Sequence, residues 1–290
     1  MVLVGSAPQF DETPNAVLTT GGRRVALTLP EEYERLLHTP LYRPFSSEGT
    51  QVDARLVLRV VHDSQPHALC AILDCPEVVQ RQLSHRAGDL CQSGFMVVDF
   101  VQRSTWTMES FVLQSADEVQ YLRGRLFRLL GCLLSAGDGL LLHGSGFVLD
   151  GVAAAVIGPS EAGKTTAARL VQGDRLLSDD VVAVTDLDGK PHLHSTPFGR
   201  ETDGLGSAPL RAILFPRKQS TFSLQAVPAQ QALLRSAAEQ SDKFQCLFNP
   251  YGGMAIRNLG RLFRKVPAYE LGFSLDGIDR EAIRRVLSGS

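Results

Sequence analysis

The chain is poor in the features that mark a special environment. Its five cysteines, Cys70, Cys75, Cys91, Cys132 and Cys246, form no C-x-x-C pair and no finger-like Cys/His spacing. Their odd number argues against a closed disulfide framework, so reduced thiols and a cytoplasmic setting are expected. Charge of one sign is also lacking. The 29 basic and 31 acidic residues leave a formal net charge of -2, too little to draw the whole molecule to nucleic acid or an acidic membrane. Long hydrophobic runs are missing as well. The N-terminus opens apolar but soon meets Pro8, Asp11, Glu12 and Pro14, which is not the order of a signal peptide. The most apolar stretch, 139–157, is interrupted by His143, Asp150 and several glycines. It reads as a pair of buried strands, and no membrane span is expected.

What is present is an ordinary globular composition, 44% hydrophobic and 21% charged in 290 residues, enough for one large or two modest domains. Up to residue 114 the sequence reads as short strands at 56–61, 68–73, 95–100 and 105–113, with turns at 63–66 and 74–76 and one early helix at 30–37. Residues 1–114 are therefore expected to form a smaller, mostly β (α+β) N-terminal module. Ser115-Ala116-Asp117-Glu118 fits a capping box, and Val119, Leu122, Leu126, Leu129 and Leu133 then recur at helical spacing up to Gly137. This helix opens an α/β domain over 115–290. Two strands, 140–149 and 152–157, are joined by the hairpin signal Asp150-Gly151. A helix at 164–172, a strand at 175–184, a turn at 186–189 and strands at 210–215 and 221–224 follow. Helices at 254–264 and 279–287 flank a last strand at 269–273.

The residues Gly158, Pro159, Ser160, Glu161, Ala162, Gly163, Lys164 and Thr165 match G-x-x-x-x-G-K-[ST] in full, between an apolar strand and a helix, and Thr166 continues into that helix. Such a loop turns backbone N–H groups toward phosphate oxygens. Lys164 is placed to reach the outer phosphates and Thr165 to offer its hydroxyl to Mg2+, which makes ATP and Mg2+ the expected ligands. Glu161 stands where a small residue is commoner. An acid aimed at phosphates repels them, so its side chain is expected to face outward or to meet a basic partner.

Asp179 and Asp180 open the apolar run 181–184. Adjacent residues of a strand point to opposite faces, so one acid faces a metal and the other a reacting hydroxyl, unless the backbone bends there. The order expected is Asp179 as base with Asp180 on the metal; the alternative is the reverse. The bland alternative is a solvated turn. His143, one hairpin upstream of the loop, comes back alongside it, where it can touch phosphate or orient a carboxylate, although a lone histidine in an apolar strand is more often a core residue. Arg257 and Arg261, with Arg264 and Lys265, share one helical face that reads as a solvated surface or as a phosphate clamp. Arg200 is a further candidate to stabilise a transferring phosphoryl group.

Taken in order and spacing, Leu142-His143-Gly144-Ser145-Gly146, Gly158 to Thr166 and Leu176-Leu177-Ser178-Asp179-Asp180 resemble the catalytic domain of HPr kinase/phosphorylase, a fold related to the ATP-dependent phosphoenolpyruvate carboxykinases. Ser195-Thr196-Pro197-Phe198 looks like the HPr-kinase-like proteins of peptide-maturation clusters, among them kinases that phosphorylate a serine of lasso-peptide precursors. The resemblance covers 140–180 well and the rest of the second half loosely. It implies that His143 lies near the transferred phosphate, that Lys164 and Thr165 hold phosphate and Mg2+, that Asp179 and Asp180 serve catalysis and metal, and that the chain forms a homo-oligomer. The glycine-rich signature that follows the acids in HPr kinases is not matched, 203–207 giving only an echo, so HPr and phosphorolysis are not implied.

The expected activity is an ATP- and Mg2+-dependent kinase acting on a hydroxyl, a serine of a peptide or protein. The competing readings are a kinase for a small hydroxyl compound such as free serine, and a non-catalytic module that binds a peptide under the control of ATP.

Overall fold

The structure, a computed structural model, describes residues 2–3, 14–49, 51–61, 97–102, 107–113, 117–171, 173–241 and 252–289. Among them the protein is a mixed α/β chain with two sheets and six α-helices. It divides into two compact units, Met1–Leu18 with Arg24–Leu129, and Thr19–Arg23 with Leu130–Ser290.

The first sheet takes strands β1 (Val2–Leu3), β2 (Ala16–Thr20), β3 (Arg23–Thr28), β4 (Ala54–Val61), β5 (Val97–Gln102) and β6 (Thr107–Leu113) in the order β1-β5-β6-β4-β3-β2. Strands near 56–61, 95–100 and 105–113 were expected, whereas the pair β2 and β3 was not. The turn between them, Gly21-Gly22, has φ of 57° and 69°, a hairpin signal present in the sequence. The early helix is shorter than expected: α1 (Glu31–Glu34) runs into a 3-10 turn over Arg35–His38. The strand expected at 68–73 and the turns at 63–66 and 74–76 lie outside the described residues.

Helix α2 (Glu118–Ala136) buries Leu122, Leu126, Leu129 and Leu133 of the expected stripe, whereas Val119, in its first turn, is 41% exposed. Its first turn is held by Asp117, whose Oδ1 accepts the Gln120 N–H at 2.9 Å; Ser115, the expected cap, lies outside the described residues.

The second sheet is built from β7 (Leu140–Leu149), β8 (Val152–Ile157), β9 (Arg175–Ser178), β10 (Val181–Thr185), β11 (His192–His194), β12 (Ser207–Lys218), β13 (Ser223–Val227) and β14 (Ala268–Phe273). Its order is β11-β10-β7-β8-β12-β14-β13, with β9 beside β7 and β11 also pairing β12. The β7–β8 hairpin turns at Asp150 (φ 51°) and Gly151 (φ 77°), as its sequence asked. Strand β8 is apolar throughout because both of its faces are covered. Ala153, Ala155 and Ile157 enter a core with Ala232 of α4 (Ala229–Ser241) and Leu259, Leu262 and Phe263 of α5 (Gly252–Lys265). Ala154 and Val156 enter a second core with Ala167 and Ala168 of α3 (Lys164–Leu170) and Ile283 and Leu287 of α6 (Arg280–Ser288).

Three features differ from expectation. The run 175–184 is two strands broken at Asp179-Asp180. Helix α4 and strand β11 were not foreseen. Ile256, an apolar residue of α5, is 54% exposed.

Candidate functional site

Strand β8 ends at Ile157 and α3 begins at Lys164, so residues 158–163 form the loop between them. Gly158 is buried, whereas Pro159, Ser160 and Glu161 are exposed. The Ala162 N–H donates to the Pro159 carbonyl at 3.3 Å, closing a turn whose third residue, Glu161, has φ 67°. That is the left-handed position where glycine is favoured. The carboxylate of Glu161 therefore sits on the outside of the loop, one of the two arrangements expected for it. Gly163 has φ 90°, and a Cβ there would come within 2.8 Å of the Phe273 Cζ, so no other residue fits without displacement.

Lys164 is buried and curls back over the loop, its Nζ donating to the Gly158 and Pro159 carbonyls, each at 2.9 Å. Thr165 donates its hydroxyl proton to the Asp179 carbonyl at 3.0 Å, which leaves oxygen lone pairs for a cation. Ser145, on β7, donates to the same carbonyl at 2.9 Å and lies 3.4 Å from the Thr165 Oγ1. Thr166 is half-buried on the first turn of α3.

The paired acids occupy the break between β9 and β10. Strand β7 fixes both sides of it, with Gly146 opposite Ser178 and His143 opposite Val181. The Gly144 N–H donates to the Asp180 carbonyl at 2.8 Å. From this bend the two carboxylates go separate ways. Asp179 Oδ1 accepts the backbone N–H groups of Arg200 (2.8 Å) and Glu201 (3.1 Å). Gly199 makes that approach possible, since a Cβ there would stand 2.3 Å from the same oxygen. Asp180 Oδ1 lies 3.1 Å from the Nε2 of His143; the histidine side chain is 10% exposed and the aspartate side chain 40%. One acid thus secures a returning loop, and the other pairs a half-buried carboxylate with a buried imidazole.

The arginines separate in the same manner. Arg261 gives Nη2 to the Asp188 carboxylate and Nη1 to the Asn258 Oδ1 at 2.8 Å. Lys265 on the same face donates to the Asp188 and Gly189 carbonyls, so these two cations hold the turn after β10. Arg257 is exposed on α5. Arg200 contributes its main-chain N–H to Asp179, and its side chain is exposed.

Sequence reasoning did not single out Thr196, Gly199 or the site role of Ser145. Thr196 donates to the Val181 carbonyl at 2.6 Å, and Ser195 is tied to Gly206 by three bonds, its N–H (2.9 Å) and Oγ (3.2 Å) donating to that carbonyl and its Oγ accepting from the Gly206 N–H at 2.8 Å. These bonds anchor the segment that brings Gly199 and Arg200 to Asp179. The cue available was the Ser-Thr-Pro-Phe-Gly stretch at 195–199, whose partners lie both upstream, at Val181, and downstream, at Gly206.

Compared with protein-family models and with curated protein sequences, the chain matches none.

Proposed function

We propose that the protein is a P-loop kinase that transfers the γ-phosphoryl group of ATP to a hydroxyl, a serine side chain of a peptide or protein. The observation that carries this reading is the Asp180–His143 pair at 3.1 Å, joined by the neighbouring Asp179 carbonyl to Thr165 of the phosphate loop. In this reading the base and the cation-binding hydroxyl meet at the Asp179-Asp180 bend. The resemblance of 142–146, 158–166 and 176–180 to HPr kinase/phosphorylase supports the same chemistry.

In this reading the substrate oxygen attacks the γ-phosphorus, the bond from that phosphorus to the bridging oxygen breaks, and ADP leaves. Asp180 accepts the hydroxyl proton, with His143 orienting its carboxylate. Lys164, moving from the loop carbonyls to the outer phosphates, offsets the charge that develops there. The residues present fit Mg2+ through the Thr165 hydroxyl, which gives its proton to the Asp179 carbonyl and keeps lone pairs for a cation. Mg2+ commonly binds through one or two protein oxygens plus phosphates, and it would screen the phosphate charge. Asp179 is assigned to position the 199–201 loop, because both of its bonds to that loop are already made.

The test is transfer of labelled phosphate from ATP to serine-containing peptides and to free serine. Lys164→Ala is expected to abolish transfer, and Asp180→Asn to lower it by roughly 10^2 to 10^4-fold, both with an unchanged circular dichroism spectrum. Asp179→Asn is expected to retain more activity than Asp180→Asn while melting earlier. Full transfer by the Lys164 or Asp180 variant would overturn the proposal, and transfer confined to free serine would assign a small-molecule acceptor.

A further inference from the structure

Three parallel strands, β8, β12 and β14, lie side by side, and the phosphate loop leaves the carboxyl end of the first. Lys218 closes β12, in register with Phe273 at the close of β14. Both reach the loop: a Cβ placed on Gly163 would stand 3.4 Å from the Lys218 Cε and 2.8 Å from the Phe273 Cζ, while one on Gly158 would lie 3.3 Å from the Pro216 Cδ. Phe273 is buried and serves as packing under the loop, whereas Lys218 is exposed. The chain has only five lysines among its 29 basic residues, and two of them, Lys164 and Lys218, stand at this loop.

The sheet order puts the chemistry on one flank and Lys218 on the other. Strands β7 and β10, which carry His143 and follow Asp180, lie on one side of β8, and β12 lies on the opposite side. If the γ-phosphoryl group faces Asp180, the remainder of the polyphosphate extends toward β12. Ligands of parallel sheets gather at the carboxyl ends of the strands, and a lysine there acts on phosphate as a mobile point charge. Resting on the kinase reading above, we infer that Lys218 is a second cation for the nucleotide, binding its diphosphate portion on the side away from the acceptor. Lys218 acts in nucleotide binding and not in the proton transfer.

The experiment is calorimetric titration of the full chain with ADP and with AMP, alongside steady-state transfer. Lys218→Met is expected to weaken ADP binding on the order of tenfold, with a smaller loss for AMP, a raised KM for ATP and a kcat at saturating ATP within about twofold of the parent. Lys218→Arg restores most of the ADP affinity, and the melting temperature without nucleotide stays unchanged in both. Should the Met variant melt early, Lys218→Gln supplies the same comparison. Equal ADP affinity in parent and Met variant overturns this inference alone, as does a large fall in kcat with ADP affinity intact. Failure of the parent chain to bind ADP overturns it together with the kinase reading.

Discussion

Glu161 shows how a single residue can oppose the site it belongs to. It holds a left-handed backbone at φ 67° and sets a negative charge on the loop that the kinase proposal assigns to phosphate. Left-handed geometry costs a non-glycine residue roughly 1–2 kcal/mol, and like charges at close range repel. Glu161→Gly is therefore expected to raise stability by about 1 kcal/mol in urea unfolding, and to tighten ADP binding several-fold by titration. An unchanged or weaker affinity would mean that the carboxylate plays no part in nucleotide binding or assists it. At this scale the loop was legible, since eight consecutive residues must satisfy one local geometry. The acids were legible as a pair, but their division was not. It depends on Gly199, Arg200 and Glu201 returning some twenty residues later to take up Asp179, and no spacing rule encodes that return.

Among the elements, α5 has the most specific attachment. The Nδ2 of Asn258 donates to the carbonyls of Ser135 (3.1 Å), Gly137 (3.2 Å) and Gly139 (3.1 Å). It thereby satisfies the C-terminal end of α2 and the entry to β7 together. Asn258 is 2% exposed, so water does not readily replace it. Asn258→Ala is expected to cost about 2–3 kcal/mol, read as a lower urea midpoint at constant m-value. A loss below about 0.5 kcal/mol would show that the carbonyls find other donors. The apolar period of α5 announced that helix, whereas nothing comparable announced α4. In α4 the residues turned inward include Ala232 and Ser236, while Leu234 is 64% exposed, so the hydrophobic pattern points the wrong way. The break inside 175–184 was hidden for a related reason: two aspartates at a bend read the same as two aspartates at a strand end.

For the molecule as a whole, the sequence indicated mixed α/β architecture from its alternating runs, but could not indicate that β11 joins β10 on one side and β12 on the other. His194 lies in that short strand, its Nε2 2.8 Å from the Thr185 hydroxyl. Burial, with help from His192 and Arg23, pulls its pKa down from the usual 6.5 to about 4. The folded protein therefore keeps the ring neutral where the unfolded chain would protonate it. Stability from this group is intact above pH 6.5, falls as pH drops from 6.5 toward 4, and is fully lost below that. The loss amounts to at most about 3 kcal/mol. Melting temperature measured between pH 7.5 and 4 is expected to fall more steeply in the parent than in His194→Gln. Parallel curves would show that other groups govern acid sensitivity.

The alanines at the middle of β8, Ala153, Ala154 and Ala155, are wholly buried between helices on both sides. Their small size leaves only a methyl group between the strand and the core on each face. A bulkier side chain at any of them must push on a helix or on the strand itself. The strand runs on into the loop of residues 158–163, so a push on these alanines is carried to that loop.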